Sequence, residues 1–462
     1  MISRRSFLKT GIYAAAGFSA CVQKCGNGPK VLVIGAGVAG LAAARTLHDS
    51  GLVEVTVLEA RERIGGRIWT DRGFEGFPAE LGASWIHGTV KNPVHEFAIA
   101  EKIGLSNTQN RAMPDAFDHQ GKHFSAHQQE QMYALFETIR TAAYENQQRL
   151  TQGKDVSLGS ALEGELRRRK LSPEIRSQQK HLIAVEIENE YAEDASRLSL
   201  RSWDRVRWFS GDDMLVPQGY DLIPRALARN LDVRTSMPVR KIEYAGNGVS
   251  AFTQNGKTFH ADYAIVTLPL GVLKKGSVAF SPALPHAKRL AIARLGMGNF
   301  NKLYLKFDRV FWPEHTTWIE YFGNDSGHWP MFLNLKKTHG QPALVGFVVG
   351  DKALALEKLG NEAVTDSALK ILRLLYGQQV PPPRSSFFTR WSSDQYALGA
   401  YSCIPPGVQA NDLDVVGAPI DDKLFFAGEA TSRQDYGTVH AAYTSGRRAA
   451  TEIRASCSRV LA

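Results

Sequence analysis

The stretch that most limits what this chain can fold into lies at residues 31–59. Val31-Leu32-Val33-Ile34 is an unbroken apolar run, as a strand buried on both faces requires. Gly35-Ala36-Gly37-Val38-Ala39-Gly40 follows at once, and Leu41 to Leu47, with Ala42, Ala43 and Ala44, reads as a closely packed helix. Glu54 to Leu58 is a second strand ending in Glu59, 19 residues past Gly40. Strand, G-x-G-x-x-G, helix, strand, acid predicts a βαβ unit. Its glycines let backbone approach a pyrophosphate at the helix N-terminus, and the Glu59 carboxylate can accept from ribose hydroxyls. The chain is therefore predicted to be α/β and to bind a dinucleotide.

Composition removes other classes. The 462 residues, 44% hydrophobic and 22% charged, can bury more than one core and are unlike disordered or collagenous chains. There is no apolar run of the roughly 18 residues a membrane-spanning helix needs. Cys21, Cys25, Cys403 and Cys457 form no CxxC pair and no zinc-spaced Cys/His cluster, so neither a metal nor a disulfide framework is expected. The charge, 55 − 46 = +9, permits nucleic acid as a partner. However, no basic motif is interleaved with aromatics, and nucleic acid is discounted.

Ser3-Arg4-Arg5-Ser6-Phe7-Leu8-Lys9, followed by the mildly apolar Gly11–Ala20, resembles a twin-arginine export signal. The resemblance implies a signal and short linker over 1–28, the twin-arginine machinery as a partner, and a periplasmic or secreted protein. Phe18-Ser19-Ala20-Cys21 resembles a lipoprotein cleavage box, with Phe18 where an aliphatic residue is usual. A lipid anchor at Cys21 is the minority alternative. Loss of residues 1–20 removes Arg4, Arg5 and Lys9, leaving 9 − 3 = +6.

Arg61-Glu62-Arg63-Ile64-Gly65-Gly66-Arg67 comes directly after Glu59. Alone it is a tight loop or a second backbone approach to phosphate, with Arg67 as charge partner. After Glu59 it resembles the R-x-G-G-R segment of flavin-containing amine oxidases, which points to FAD rather than NAD. Four later segments resemble the same family in the same order: Glu80–Gly88, Met237–Ile242, Phe425–Thr431 and Thr438–Gly446. The motifs are most similar to polyamine (spermine and acetylpolyamine) oxidases, and also resemble monoamine oxidases and lysine-specific histone demethylases. The resemblance implies that Gly35, Gly37, Ala39, Gly40, Glu59, Ala60, Arg61, Gly66 and Arg67 hold FAD. Gly82, Ala83, Ser84, Trp85, Val239, Trp391, Gly428, Glu429, Thr438 and Val439 join them. Relatives usually have glycine at the position of Ala441.

Amine oxidation moves a hydride from a C–N carbon to flavin, and the amine must be neutral when this happens. With a pKa near 10, roughly one part in a thousand of an alkyl amine is neutral at pH 7, and a partly desolvated site raises that share. Lys302, in the alternating stretch Asn299–Leu305, resembles the family's active-site lysine, which holds a water near the flavin. Trp391 and Tyr401 occupy positions that stack near the flavin and cage the amine. Thr438, where monoamine oxidases and plant polyamine oxidases carry tyrosine, completes a cage with a weakened cation–π contribution.

The run Glu186–Asp194 is acidic within a basic chain and is expected mostly to be a solvated helix face. Glu190-Tyr191 resembles a pair lining the polyamine oxidase tunnel, and Phe300 an aromatic facing it. Tyr191 and Phe300 are expected to sandwich a methylene chain while Glu190 holds a distal ammonium. His87 stands where animal enzymes have His and plant enzymes Glu.

The segments 30–90, 215–280 and 385–455 are expected to form a Rossmann-like FAD domain. Residues 91–214, with a helix over His127–Leu150, and 281–384, with strands Lys302–Phe307 and Ala343–Val349 and a helix Asn361–Tyr376, form a mixed sheet-and-helix substrate domain. The expected activity is an exported FAD-dependent polyamine oxidase giving aldehyde, amine and, with oxygen, hydrogen peroxide. Alternatives are a dehydrogenase or oxidase of a monoamine, alkaloid or amino acid passing electrons to a periplasmic carrier, and a non-catalytic flavin-binding protein. For an amino acid no carboxylate-binding arginine can be placed.

Overall fold

The computed structural model describes residues 28–51, 53–108, 113–149, 154–323 and 329–461. The twin-arginine segment, Cys21 and Cys25 lie outside them. Five parallel strands form the first sheet, in the spatial order Leu424–Phe426, Tyr263–Val266, Lys30–Ile34 (β1), Glu54–Leu58 (β2) and Asp232–Arg234. The apolar run in β1 is buried to within 3% exposure at Val31, Leu32, Val33 and Ile34, as a central parallel strand requires. The helix Val38–Ser50 (α1) crosses from β1 to β2. Its small residues Ala42, Ala43 and Ala44 are fully buried. The C-terminal helix Val439–Leu461 lies across it. That contact is tight, because a Cβ built at Gly446 would stand 2.1 Å from the Ala39 carbonyl oxygen.

The second sheet has six strands, in the order Ser385–Phe388, Phe300–Lys306, Ala343–Val349, Met331–Asn334, Trp318–Phe322 and Asp115–Asp118. It is antiparallel except where Asp115–Asp118 runs parallel to Trp318–Phe322. Side chains alternate between its faces. Leu303, Leu305, Ile319, Leu344 and Val348 pack into a core with the helices Gly350–Glu357 and Asn361–Tyr376. Phe300, Tyr304, Trp318, Val345 and Phe347 pack on the other side, against Phe77, Leu81 and Trp85 of the nucleotide-binding half. Period two therefore sends Lys302 toward the nucleotide half with Phe300 and Tyr304. The expected helix at His127–Leu150 is Ala126–Arg149, and Ser385–Phe388, at the expected start of a FAD segment, is an edge strand of this second sheet.

The acidic run departs from expectation. Helix Pro173–Ile183 continues as a π-helical turn, Ala184–Glu188, and ends at Tyr191. Glu188 accepts from the Ala195 amide at 2.9 Å, and Glu193, 8% exposed, pairs with Arg197 at 2.5 Å. A solvated face is wrong for these residues because chain reversal at Ala192, in the left-handed region at φ 53°, folds the run back on itself. π-turns of this sort recur at functional sites.

Gly446→Val is expected to lower the melting temperature and FAD retention together. Backbone cannot yield to the added atoms, so the cost is of order 1–3 kcal/mol, read by thermal unfolding with and without added FAD.

Candidate active site

One cavity of about 680 Å³ runs from the C-terminal end of β1 to the inner face of the second sheet. Nearly every residue expected to hold FAD lines it: Gly35, Gly37, Ala39, Glu59, Ala60, Arg61, Gly66, Arg67, Gly82, Ala83, Ser84, Trp85, Val239, Trp391, Gly428, Glu429, Thr438 and Val439. Gly40 does not. A Cβ there would meet the Gly35 carbonyl at 2.0 Å, so Gly40 permits the tight turn behind the wall and is no contact residue.

The walls fit a dinucleotide. Helix α1 starts at Gly37 with no side chain capping it and no acid in its first turn, so its free amides and positive dipole end face the cavity. A Cβ at Gly37 or Gly428 would meet nothing within 4 Å, which leaves room for close approach to backbone. Glu59, 5% exposed, accepts from the Ala36 and Arg61 amides at 2.7 and 2.9 Å, and each oxygen keeps acceptor capacity for a hydroxyl. Trp85 Nε1, Asn189 Oδ1 and His440 Nε2 belong to cavity-lining residues and are buried polar atoms without a hydrogen-bond partner among the described residues. Such orphans are costly unless a ligand satisfies them.

Four expected contacts are also engaged within the protein. Arg61 forms a bidentate pair with Asp394 at 2.8 and 2.6 Å. Arg67 Nη1 donates to Glu429 at 2.7 Å and to the Ala400 carbonyl at 2.8 Å. Glu429, 4% exposed, also accepts from the Ser402 hydroxyl at 2.5 Å and the Gly437 amide at 3.0 Å. Arg67 and Glu429 thus hold one another and tie the Arg-Gly-Gly-Arg loop to the late segment. Thr438 caps the C-terminal helix: its hydroxyl accepts from the Ala441 amide at 3.0 Å and donates to the Asp435 carbonyl at 2.6 Å. The hydroxyl is thus held in the cap while Thr438 lines the cavity.

Lys302 is 4% exposed. Its Nζ donates to the carbonyls of Glu80 at 2.9 Å and Gly82 at 2.6 Å and meets the Ser84 hydroxyl. Burial holds this ammonium well below the ordinary lysine range, and the Glu80 carboxylate opposes that shift. A lysine so depressed can exchange a proton near neutrality. Asn301, fully buried on the opposite face of the strand, fixes the neighbourhood. Its Oδ1 accepts from Thr389 at 3.0 Å and from the Trp391 amide at 3.1 Å, and its Nδ2 donates to Glu357 at 2.7 Å. Trp391 donates Nε1 to the Leu81 carbonyl at 2.9 Å, and Tyr401 donates its hydroxyl to the Asn189 carbonyl at 2.8 Å.

Phe300 sits 6.3 Å from the Tyr401 ring and 5.7 Å from Phe347. Tyr191 lines the cavity but accepts at its hydroxyl from the Asp204 amide at 3.2 Å, and among the described residues no ring contact joins it to Phe300. The ring neighbours of Phe300 are Tyr401 and Phe347, and Tyr191 lines the same cavity. Trp85 stacks on Trp318 at 6.1 Å, extending the apolar wall.

Beyond these rings the wall turns acidic. Glu186 and Glu190, one helical turn apart, and Asp213 and Glu320 all line the cavity. Glu186 and Glu190 are solvent-accessible only in the sense that they face this space: protein surrounds them, and burial raises both, Glu186 to about 7 with Glu320 adding repulsion. His87 Nδ1 lies 3.2 Å from Asp213. Burial pulls His87 down, but the Asp213 hydrogen bond and the Glu190 charge outweigh it and the net shift is upward. Glu320 is backed by His181 at 3.2 Å. The sequence offered a signal for Glu186 in its i,i+4 spacing to Glu190, and for Glu320 in the alternation Trp318, Glu320, Phe322. Asp213 and Asn301 carried none.

A parallel sheet with an uncapped glycine-rich helix start, joined by one cavity to a lysine-bearing antiparallel sheet, defines a two-domain flavin-binding oxidoreductase. The sequence profile described as flavin containing amine oxidoreductase matches residues 38–454, and the chain belongs to that family, with FAD as its cofactor. It is similar to polyamine oxidase 2 of Arabidopsis thaliana, 37% identical over 95% of this chain and 90% of the relative. It is also similar to polyamine oxidase 4 of Oryza sativa subsp. japonica, 37% identical over 94% and 90%. Lysine-specific histone demethylase 2 of Homo sapiens is 32% identical over 98% of this chain and 57% of its own length.

Lys302→Met should slow flavin reduction by at least about a hundredfold, the usual scale for losing a proton-transfer group, while FAD stays bound. Anaerobic stopped-flow absorbance beside a flavin-to-protein ratio checks it.

Proposed function

We propose that this enzyme oxidises a polyamine. The observation that carries the reading is the division of the cavity: a depressed lysine and aromatic walls at one end, four carboxylates at the other. A polyamine needs both. The nitrogen to be oxidised must be neutral, which Lys302 and the apolar wall of Trp85, Phe300, Trp391 and Tyr401 favour. The remaining nitrogens stay cationic and are held by Glu190, Glu186 and their neighbours through charge-assisted hydrogen bonds. His87, bonded to Asp213, orients the amine between the two ends. Bound FAD supplies the acceptor for a hydride from the C–N carbon. Water would hydrolyse the resulting iminium to an aldehyde and a shorter amine, and with oxygen as final acceptor the electrons would leave as hydrogen peroxide. The names of the plant relatives support the substrate class.

We propose further that Arg4-Arg5 directs export of the folded protein to the periplasm or beyond, where oxygen or a periplasmic carrier reoxidises the enzyme. Cell fractionation of the chain and of Arg4→Lys/Arg5→Lys is expected to show the double variant retained inside. Mass spectrometry of the mature N-terminus reads whether Cys21 bears lipid.

Anaerobic mixing with spermidine, spermine, their acetylated forms, monoamines and amino acids should bleach the flavin fastest with a polyamine; bleaching by monoamines alone would overturn the reading. Glu190→Gln is expected to raise KM for a triamine by about 10–100-fold, the worth of one charge-assisted hydrogen bond, and to leave KM for a monoamine nearly unchanged. The pH dependence has a definite sign. Glu186 is charged above about 7 and neutral below it, so polyamine affinity should fall as pH drops through that range, and Glu186→Gln should flatten the fall.

A further inference from the structure

Behind Lys302 lies a buried acid to which none of the roles above assigns a function. Glu80 is 6% exposed, and its carboxylate accepts from the Thr70 hydroxyl at 2.9 and 3.0 Å and from the Tyr220 amide at 2.7 Å. These neutral donors fix its position without supplying charge. The Glu80 carbonyl accepts from Lys302 Nζ and from the Tyr304 hydroxyl, each at 2.9 Å. Around Nζ stand two carbonyls, the Ser84 hydroxyl and the Trp85 ring at 5.7 Å, and no carboxylate forms an ion pair with it among the described residues. A buried lysine and a buried acid are thus linked through one residue, Nζ at the Glu80 backbone carbonyl and the Glu80 carboxylate held by Thr70 and Tyr220.

We propose that Glu80 is a positioning residue for amine oxidation, acting through Lys302 as the buried counter-charge that decides whether Lys302 carries its proton. Two net-neutral arrangements compete, carboxylate with ammonium and carboxylic acid with amine, and they differ by one proton moved between Nζ and a carboxylate oxygen. The three acceptors around Nζ match the three hydrogens of an ammonium. An amine has two hydrogens and a lone pair, which can accept from Ser84 or take a proton from an entering substrate ammonium. Burial favours the neutral pair, and each group's charge favours the ionised one. The other groups facing this pair are Tyr304 on the lysine's strand, Tyr220 and Asp221 before the helix Leu222–Leu227, and Thr70 on the strand paired with Glu80. Asp221 is itself neutralised by Arg72 and Arg225.

The inference rests on membership of the amine oxidoreductases and on the Lys302 role, and is independent of which amine is oxidised. Its first test uses resting holoenzyme without substrate. Infrared titration should show a carboxylic-acid C=O band that Glu80→Gln removes. In Lys302→Met, with the counter-charge gone, that band should persist to a pH higher by about one unit or more, because coupling between two sites is reciprocal. In stopped-flow flavin reduction, Glu80→Gln should move the acid limb of the pH profile down by about one unit, since Lys302 then gives up its proton more readily. Glu80→Asp should bring the limb back toward wild type, and it assigns the infrared band by displacing it if the glutamine variant does not fold. A Glu80 band indifferent to Lys302→Met, or an acid limb that Glu80→Gln leaves in place, overturns the proposal.

Discussion

Everything in this molecule converges on five residues of backbone, Glu80 to Ser84. The Lys302 ammonium, the Tyr304 hydroxyl and the Trp391 indole reach across from the antiparallel sheet and its edge, and all donate to carbonyls of this short segment. Gly82 makes the approach feasible, since a Cβ there would stand 1.8 Å from the Arg67 carbonyl. One cluster of buried hydrogen bonds therefore fastens the substrate sheet to the nucleotide half, and the same cluster places the lysine. Each such bond is worth about 1 kcal/mol net, yet leaving one of these buried groups unpaired costs more than that. The joint between the domains and the reactive centre are built from the same atoms.

The cavity shows how charge is arranged along a path. At the nucleotide end the positive elements are backbone amides and a helix dipole, while Arg61 and Arg67 are neutralised by Asp394 and Glu429. At the far end carboxylates outnumber nearby cations, and burial, with repulsion between neighbouring carboxylates added to it, raises Glu186 and Glu190 above the usual carboxylate range. A net-basic protein can thus present an acidic interior to a cationic ligand, because contact distances rather than the screened global field set the local energy.

Much of this architecture was legible in the chain itself. The fingerprint over residues 31–59 specified the parallel sheet, since buried apolar strands and glycine turns are local properties. Period-two alternation in Phe300–Lys306 likewise put Lys302 on the face it occupies. What escaped was set by partners distant in sequence. Asp213 reaches His87 from 126 positions away, and Asn301 positions Trp391 from 90 away. No spacing rule encodes such meetings. Within the acidic run, the burial of Glu193 and partial burial of Glu188 escaped because charge density implies solvent only where the segment remains at the surface, and here a left-handed residue turns its end inward while Glu186 and Glu190 stay open to the cavity. The capping role of Thr438, whose hydroxyl accepts from the Ala441 amide, was likewise not read from the chain.

The nucleotide-binding sheet takes its strands from both ends of the chain, with β1 near the start and Leu424–Phe426 near the finish, and α1 is covered by the last helix of all. A ribosome releases the first of these long before the last. The cradle therefore cannot close around its coenzyme during translation, and capture of the yellow cofactor belongs to the finished polypeptide.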